Sequence, residues 1–144
     1  MSDITFEDKC AEIKEKKQQM MDKMIEYYAP MVRDIIAFRN EEIEHIIESR
    51  NKSKPIGLLD KIFEYIYVSR ESKKRIYLCE IKYKKEFGDE NIFYNMNGFI
   101  YNIGKEISKV SKERYNLPYD ICFIWERIPD EGCTFTIPYI CVDF

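Results

Sequence analysis

Arg75-Ile76-Tyr77-Leu78-Cys79-Glu80-Ile81-Lys82-Tyr83-Lys84 is dense in β-branched and aromatic residues and carries its charges at alternate positions toward its end, which is the signature of a half-exposed β-strand. Upstream, beyond the polar Arg70-Glu71-Ser72-Lys73-Lys74, the run Lys61 to Ser69 has the same character. The two read as a β-hairpin, although Ile62, Phe63 and Ile66 with Leu59 also satisfy a helical period. Downstream, Gly88-Asp89-Glu90-Asn91 supplies capping chemistry for a helix from about Asn91 to Tyr115, with Met96, Phe99, Ile100, Ile103, Ile107 and Val110 on its inner face. Leu117-Pro118-Tyr119-Asp120 ends that helix. Two further strands, Ile121 to Ile128 and Phe135 to Val142, flank the turn Pro129-Asp130-Glu131-Gly132.

Two helices are expected ahead of the first hairpin. Phe6, Cys10, Ile13, Met20, Met24 and Tyr27 recur at helical spacing up to Tyr28, and Pro30 suits the first turn of a second helix bearing Val32, Ile35, Ile36, Ile43, Ile46 and Ile47. The two meet near Ala29, as a hairpin or as a nearly continuous rod. The fold class is therefore α+β: two N-terminal helices followed by a β-β-α-β-β sheet region, with residues 1–52 as the helical pair and 53–144 as the sheet region of one compact domain. The helix over 91–115 should cover one face of an antiparallel or mixed sheet.

A chain of 144 residues with 45% hydrophobic and 34% charged side chains can bury enough apolar surface to fold as one domain, which excludes general disorder. No stretch reaches the roughly 18 uncharged residues of a membrane span, and the start, Met1-Ser2-Asp3-Ile4-Thr5, lacks the basic and apolar regions of a signal peptide. The expectation is a cytoplasmic protein in a reducing compartment. Five cysteines, Cys10, Cys79, Cys122, Cys133 and Cys141, form no C-x-x-C pair, so neither a zinc knuckle nor a redox motif is spelled out. Isoleucine occurs 22 times against 4 leucines, and lysine 16 times against 7 arginines; that bias follows codons and points to an AT-rich genome, such as that of a low-GC bacterium, its phage or a large DNA virus.

One pattern carries chemistry. Period 2 places Glu80 and Lys82 on one face of their strand, where a carboxylate that binds Mg²⁺ or Mn²⁺ and a lysine that polarises an attacking water converge on a scissile phosphate. With the hairpin turn near Ser72, Glu64 lies opposite Glu80 and adds a second oxygen ligand. Here the chain resembles the PD-(D/E)xK nuclease superfamily, in particular its RecB-like branch. The resemblance implies Glu64 and Glu80 as metal ligands and Lys82 as the catalytic lysine. It also implies a role for Asn97 and Tyr101, since Asn97-Gly98-Phe99-Ile100-Tyr101 stands where the branch carries Q-x-x-x-Y. Glu42 or Glu44 would match the family's optional helical acid.

Other constellations are weaker. Glu42 and His45 have the spacing of a ferritin-like half-site, but the chain has no second histidine to complete it. No Walker loop or G-x-G-x-x-G occurs, and no nucleophile elbow marks a serine or cysteine. Net charge is −3, yet residues 51–118 are locally basic. Within Ser69 to Lys85, Lys73, Lys74, Arg75, Lys82, Lys84 and Lys85 interleave with Tyr77 and Tyr83, a surface able to follow nucleic-acid phosphates or simply a solvated edge guarded by lysines.

Two function classes follow. A non-catalytic protein-interaction module, of the type a phage or virus uses to block a host complex, needs the fewest coincidences: small size, 11 tyrosines suited to interface anchors, and acidic segments at both ends. The metal-dependent nuclease acting on DNA is the alternative. Met20, Met21, Met24, Ile25, Val32, Ile35 and Ile36 exceed what a small sheet can cover, so a homodimer through the N-terminal helices is expected.

Overall fold

In the computed structural model, which describes residues 4–52, 75–130 and 132–143, the first helix, α1, runs from Phe6 to Phe38. The Thr5 hydroxyl caps it by accepting from the Asp8 amide at 3.1 Å, and Glu7 and Asp8 occupy the first turn, where the helix dipole favours acids. The boundary expected near Ala29 is absent, because Pro30 lies inside the helix. An internal proline costs about 3 kcal/mol through a lost hydrogen bond and a crowded carbonyl. Against that, Met20, Met24, Tyr28, Val32 and Ile36 form one buried stripe at four-residue spacing, each side chain contributing about 1.5–3 kcal/mol by leaving water. Packing wins, and the chain turns instead at Arg39. The Arg39 guanidinium grips the Glu42 carboxylate through Nε (3.0 Å) and Nη2 (2.8 Å), and its Nη1 donates to the Tyr77 carbonyl at 2.9 Å. Helix α2 follows over Asn40–Lys52.

The buried stripe also corrects the premise of the expected dimer. Met20, Met24, Val32 and Ile36 belong to the chain's own core, with Met21 and Ile25 packed against it, and of the seven only the half-buried Ile35 stands outside that cluster, in a shallow depression with Pro30, Met31 and Phe38. The large apolar residues of α1 that stay exposed are Phe6, Ile13 and Phe38.

The expected strand at Lys61–Ser69, with Glu64, lies outside the described residues. Three strands form one antiparallel sheet in the order β1-β3-β2: β1 Arg75–Glu80, β2 Asp120–Asp130 and β3 Cys133–Asp143. Asp130 pairs with Cys133, so the hairpin turns in two residues, with Gly132 at φ 85°, a left-handed angle that favours glycine. The strand expected to reach Lys84 stops at Glu80. Its partner after Tyr139 is Pro138, whose carbonyl accepts from the Ile81 amide at 2.9 Å. In an extended strand the N–H and C=O of one residue point to the same side, so the donor that proline lacks also faces β1, and the ladder ends there.

Leaving the sheet strands the backbone polar groups of Lys82. Tyr28, 2% exposed, satisfies both: its hydroxyl accepts from the Lys82 amide at 2.8 Å and donates to the Lys82 carbonyl at 2.9 Å. Tyr27 packs edge-on against Tyr28 at 4.9 Å between ring centroids and against Phe87 at 5.4 Å, and Phe87 lies tilted 5.9 Å from Tyr28. Burial, against the opposing pull of the Lys82 hydrogen bond, pushes the Tyr28 hydroxyl up to about 12.

The single helix expected over 91–115 is two. Asp89 caps α3, Glu90–Asn95, by accepting from the Asn91 amide at 2.9 Å. Gly98 then takes a left-handed φ of 77° and starts α4, Phe99–Tyr115. Of the expected inner face, Phe99, Ile103 and Ile107 are fully buried, whereas Met96, Ile100 and Val110 are half-buried. Helix α4 packs on α1 and on β2 and β3, and it comes closest at Gly104, where a Cβ would lie 2.2 Å from the Phe123 ring. Its buried Ser108 and Ser111 hydroxyls donate back to Gly104 and Ile107 carbonyls at 2.9 Å and 2.6 Å, which satisfies them without partners from the sheet. No helix among the described residues is long and apolar enough to cross a membrane.

Two outcomes test this account. Tyr28→Phe should lower unfolding free energy by about 1–3 kcal/mol, the cost of leaving buried backbone groups unpaired, as read by urea denaturation at neutral pH. Because the folded state raises the Tyr28 hydroxyl from 10.0 to about 12, the wild-type stability it contributes is complete below pH 10 and lost as pH rises through 12; the variant should lose less over that window. Gly104→Ala should destabilise by about 1–3 kcal/mol through overpacking, although alanine is the better helix former by about 1 kcal/mol. Adding Phe123→Leu should recover part of the loss.

Candidate functional site

Glu80 is the last residue of β1, and Lys82 stands two residues on in the irregular segment that Tyr28 anchors. The strand alternation assumed for them is interrupted twice, by a register shift between Tyr77 and Cys79 and by the end of the ladder. They nevertheless meet: Lys82 Nζ lies 3.5 Å from Glu80 Oε2. The N-x-x-x-Y match is divided by the helix break, with Asn97 in the turn before α4 and Tyr101 in its first turn.

These four residues border one trough. Two adjoining depressions, of about 440 Å³ and about 500 Å³, share Phe93, Tyr94, Ile100 and Trp125 in their walls. Glu80, Lys82, Tyr83, Thr136 and Pro138 complete the first, and Asn95, Asn97, Gly98 and Tyr101 the second. Aromatic contacts stiffen both sides. Phe93 meets Tyr83, Tyr94 and Phe99 at 5.5, 4.9 and 6.2 Å between centroids, while Phe123 meets Tyr101 at 6.1 Å and Trp125 at 5.6 Å. The rims are wet: Tyr94 is 62% exposed, Tyr101 46% and Trp125 41%. Lys105 Nζ sits 4.9 Å over the Tyr101 ring, and the Tyr83 hydroxyl donates to the Gly88 carbonyl, which fixes the chain between β1 and α3.

The spacing of the sequence marked Glu80, Lys82, Asn97 and Tyr101 but not Tyr94 or Trp125. Tyr94 sits on a helix too short to show a period, and Trp125 shares its sheet face with Phe123 by alternation, a signal that reads as core. Glu64, the second expected ligand, lies outside the described residues. Among the described residues, Glu80 is the one carboxylate in the trough walls, and it is paired with an ammonium. No group of three or more metal-ligating side chains occurs among the described residues.

The basic stretch does not form one row. Lys73 and Lys74 lie outside the described residues. Arg75 is turned toward Asp143, with Nε 3.6 Å from its carboxylate, and Lys84 Nζ rests 4.5 Å over the Tyr27 ring. Lys82 is held by Glu80, and Lys85 is exposed in a short 3₁₀ turn, Lys85–Phe87. At the other end of the sheet, Glu42 is occupied by Arg39, while Glu44 accepts from Asn40 at 3.2 Å, and Asn40 in turn accepts from the Tyr119 hydroxyl at 2.7 Å. These acids serve the α1–α2 corner and the turn before β2. No protein-family model matches the chain, and neither a curated protein nor a solved structure does.

Proposed function

We propose that the protein is a non-catalytic protein-interaction module and that the trough between α3, α4 and β2 is its contact surface. The observation that carries this reading is the shared wall of Phe93, Tyr94, Ile100 and Trp125, in which the exposed rings of Tyr94 and Trp125 rest on the buried Phe93 and the half-buried Phe123. Aromatic side chains of this type bury large areas while giving up little conformational freedom, which is why they dominate the energetics of interfaces. The surrounding groups suit a polypeptide partner. Asn95, Asn97 and Thr136 offer hydrogen bonds to backbone, and the Lys82–Glu80 pair offers charges of both signs at one end, so an extended segment with an apolar anchor and flanking polar residues fits. Blocking a host complex belongs to the same proposal and rests on the isoleucine- and lysine-rich composition of the chain.

The nuclease reading is favoured by one observation, that Glu80, Lys82, Asn97 and Tyr101 border the same trough. The two readings separate cleanly by experiment. A tagged wild-type protein should retain a stoichiometric partner from its native host. Against that partner, Tyr94→Ala and Trp125→Ala should each weaken binding at least tenfold by calorimetry, or about 1.4 kcal/mol, while Glu80→Gln and Lys82→Ala change it less than threefold, since an exposed ion pair contributes about 0–1 kcal/mol. Tyr94→Ala should lower the melting temperature by only a few degrees, since the exposed ring contributes its contacts with Phe93 and Tyr83, about 0.5–1.5 kcal/mol each. Degradation of DNA by the wild-type protein in Mg²⁺ or Mn²⁺, lost in Glu80→Gln, would overturn the interaction reading.

A further inference from the structure

Cys122 on β2 and Cys141 on β3 are direct partners across the antiparallel ladder. Residues opposite one another in such a ladder have Cα atoms about 4.5–5.5 Å apart, inside the range of about 4.4–6.8 Å that a disulfide spans. The two thiols are free and differ in exposure: Cys141 is buried and Cys122 is half-buried. We infer that Cys122 and Cys141 form a reversible dithiol–disulfide site, oxidised by a low-molecular-weight disulfide, with Cys122 as the attacking thiol and Cys141 as the resolving one.

The difference in exposure assigns these roles, since an incoming disulfide reaches the half-buried Cys122 before the buried Cys141. The Cys141 thiol donates a hydrogen bond to Cys122 sulfur, which holds Cys122 below the ordinary thiol range, and the same bond with burial drives Cys141 well above it. The Arg75 guanidinium favours the Cys122 thiolate, and the carboxylates of Asp120 and Asp143 oppose it. Cys79, on the far side of β3, is offset from Cys141 by the register shift after Tyr77, opposite Ile140. Burial raises its thiol to about 12, so it is a poor nucleophile near neutral pH.

The exchange balances in two steps. Cys122 thiolate attacks one sulfur of glutathione disulfide, the glutathione S–S bond breaks, and one glutathione thiolate leaves with the bonding electron pair. Cys141, its proton passed to that departing thiolate, then attacks Cys122 sulfur and expels the second glutathione. Two protein thiols become one disulfide, and the oxidised glutathione is reduced to two thiols. The product links the central strand of the described sheet to β2 at the end where Ile121 and Val142 pair, so it restrains the hairpin that carries Trp125.

Incubation of the full chain with oxidised glutathione, followed by thiol counting and peptide mapping, tests the site. Free thiols should fall by two per chain from the five cysteines present, and a single bridge should join the peptides holding Cys122 and Cys141. The melting temperature should rise on oxidation and return with dithiothreitol. Cys122→Ser should abolish both the thiol loss and the melting shift. Cys141→Ser, whose buried position risks the fold, should instead trap one glutathione on Cys122 if it folds, and Cys141→Ala is the variant to use if it does not. A bridge that includes Cys10, Cys79 or Cys133, or five thiols remaining after exposure to millimolar oxidised glutathione, would overturn the inference.

Discussion

The Tyr28 hydroxyl, bonded at once to the amide and the carbonyl of Lys82, is the contact on which the rest of the structure depends. Strand β1 has to leave the sheet because Pro138 offers its neighbour no donor. A chain that leaves a sheet inside a protein carries two unpaired polar groups per residue, each costing about 1–3 kcal/mol when buried. One phenol satisfies both. The hydroxyl arrives there because the buried stripe from Met20 to Ile36 fixes how α1 is rotated about its axis. The departure angle of β1 sets the path through Tyr83 and Phe87, and that path sets where α3 begins.

The trough follows from these constraints. Were β1 to continue to Lys84 in the ladder, the space now open beside Pro138 and Trp125 would be filled by a strand. Gly98 reverses the chain between α3 and α4 and leaves Asn95 and Asn97 at the rim, while Gly104 brings α4 down onto Phe123, so that Phe123 props Trp125 and Tyr101 rather than filling the core itself. The groove is thus a by-product of a proline that ends one ladder and two glycines that place one helix.

Charged groups in this fold mostly hold corners. Arg39 joins the α1–α2 bend to β1, Arg114 reaches Glu26 on α1 at 2.8 Å, and Lys112 pairs with Asp120 at the entry to β2. Arg39 is half-buried, whereas the Arg114 and Lys112 pairs are exposed, where an ion pair is worth about 0–1 kcal/mol, so those two orient elements that apolar burial already holds together. The same logic disperses the basic run of 75–85: side chains with a carboxylate or a ring within reach take it, and a row of cations along the sequence becomes separate contacts in space.

Local pattern alone determined the α+β class, the β2–β3 hairpin though not how far its ladder runs past Ile128 and Phe135, the capping at Asp89 and the apolar face of α4, because each depends on residues a few positions apart. It also marked Glu80, Lys82, Asn97 and Tyr101, which do border one surface. Tertiary contacts decided the rest. Whether Pro30 breaks a helix turns on how much the residues around it bury, and the length of β1 turns on a proline more than fifty positions away. The role of Tyr94 and Trp125 depends on which neighbours cover them, which no spacing encodes. Periodicity reports which face of an element is apolar; what that face meets is fixed only when distant segments compete for the same buried volume and the same hydrogen-bond partners.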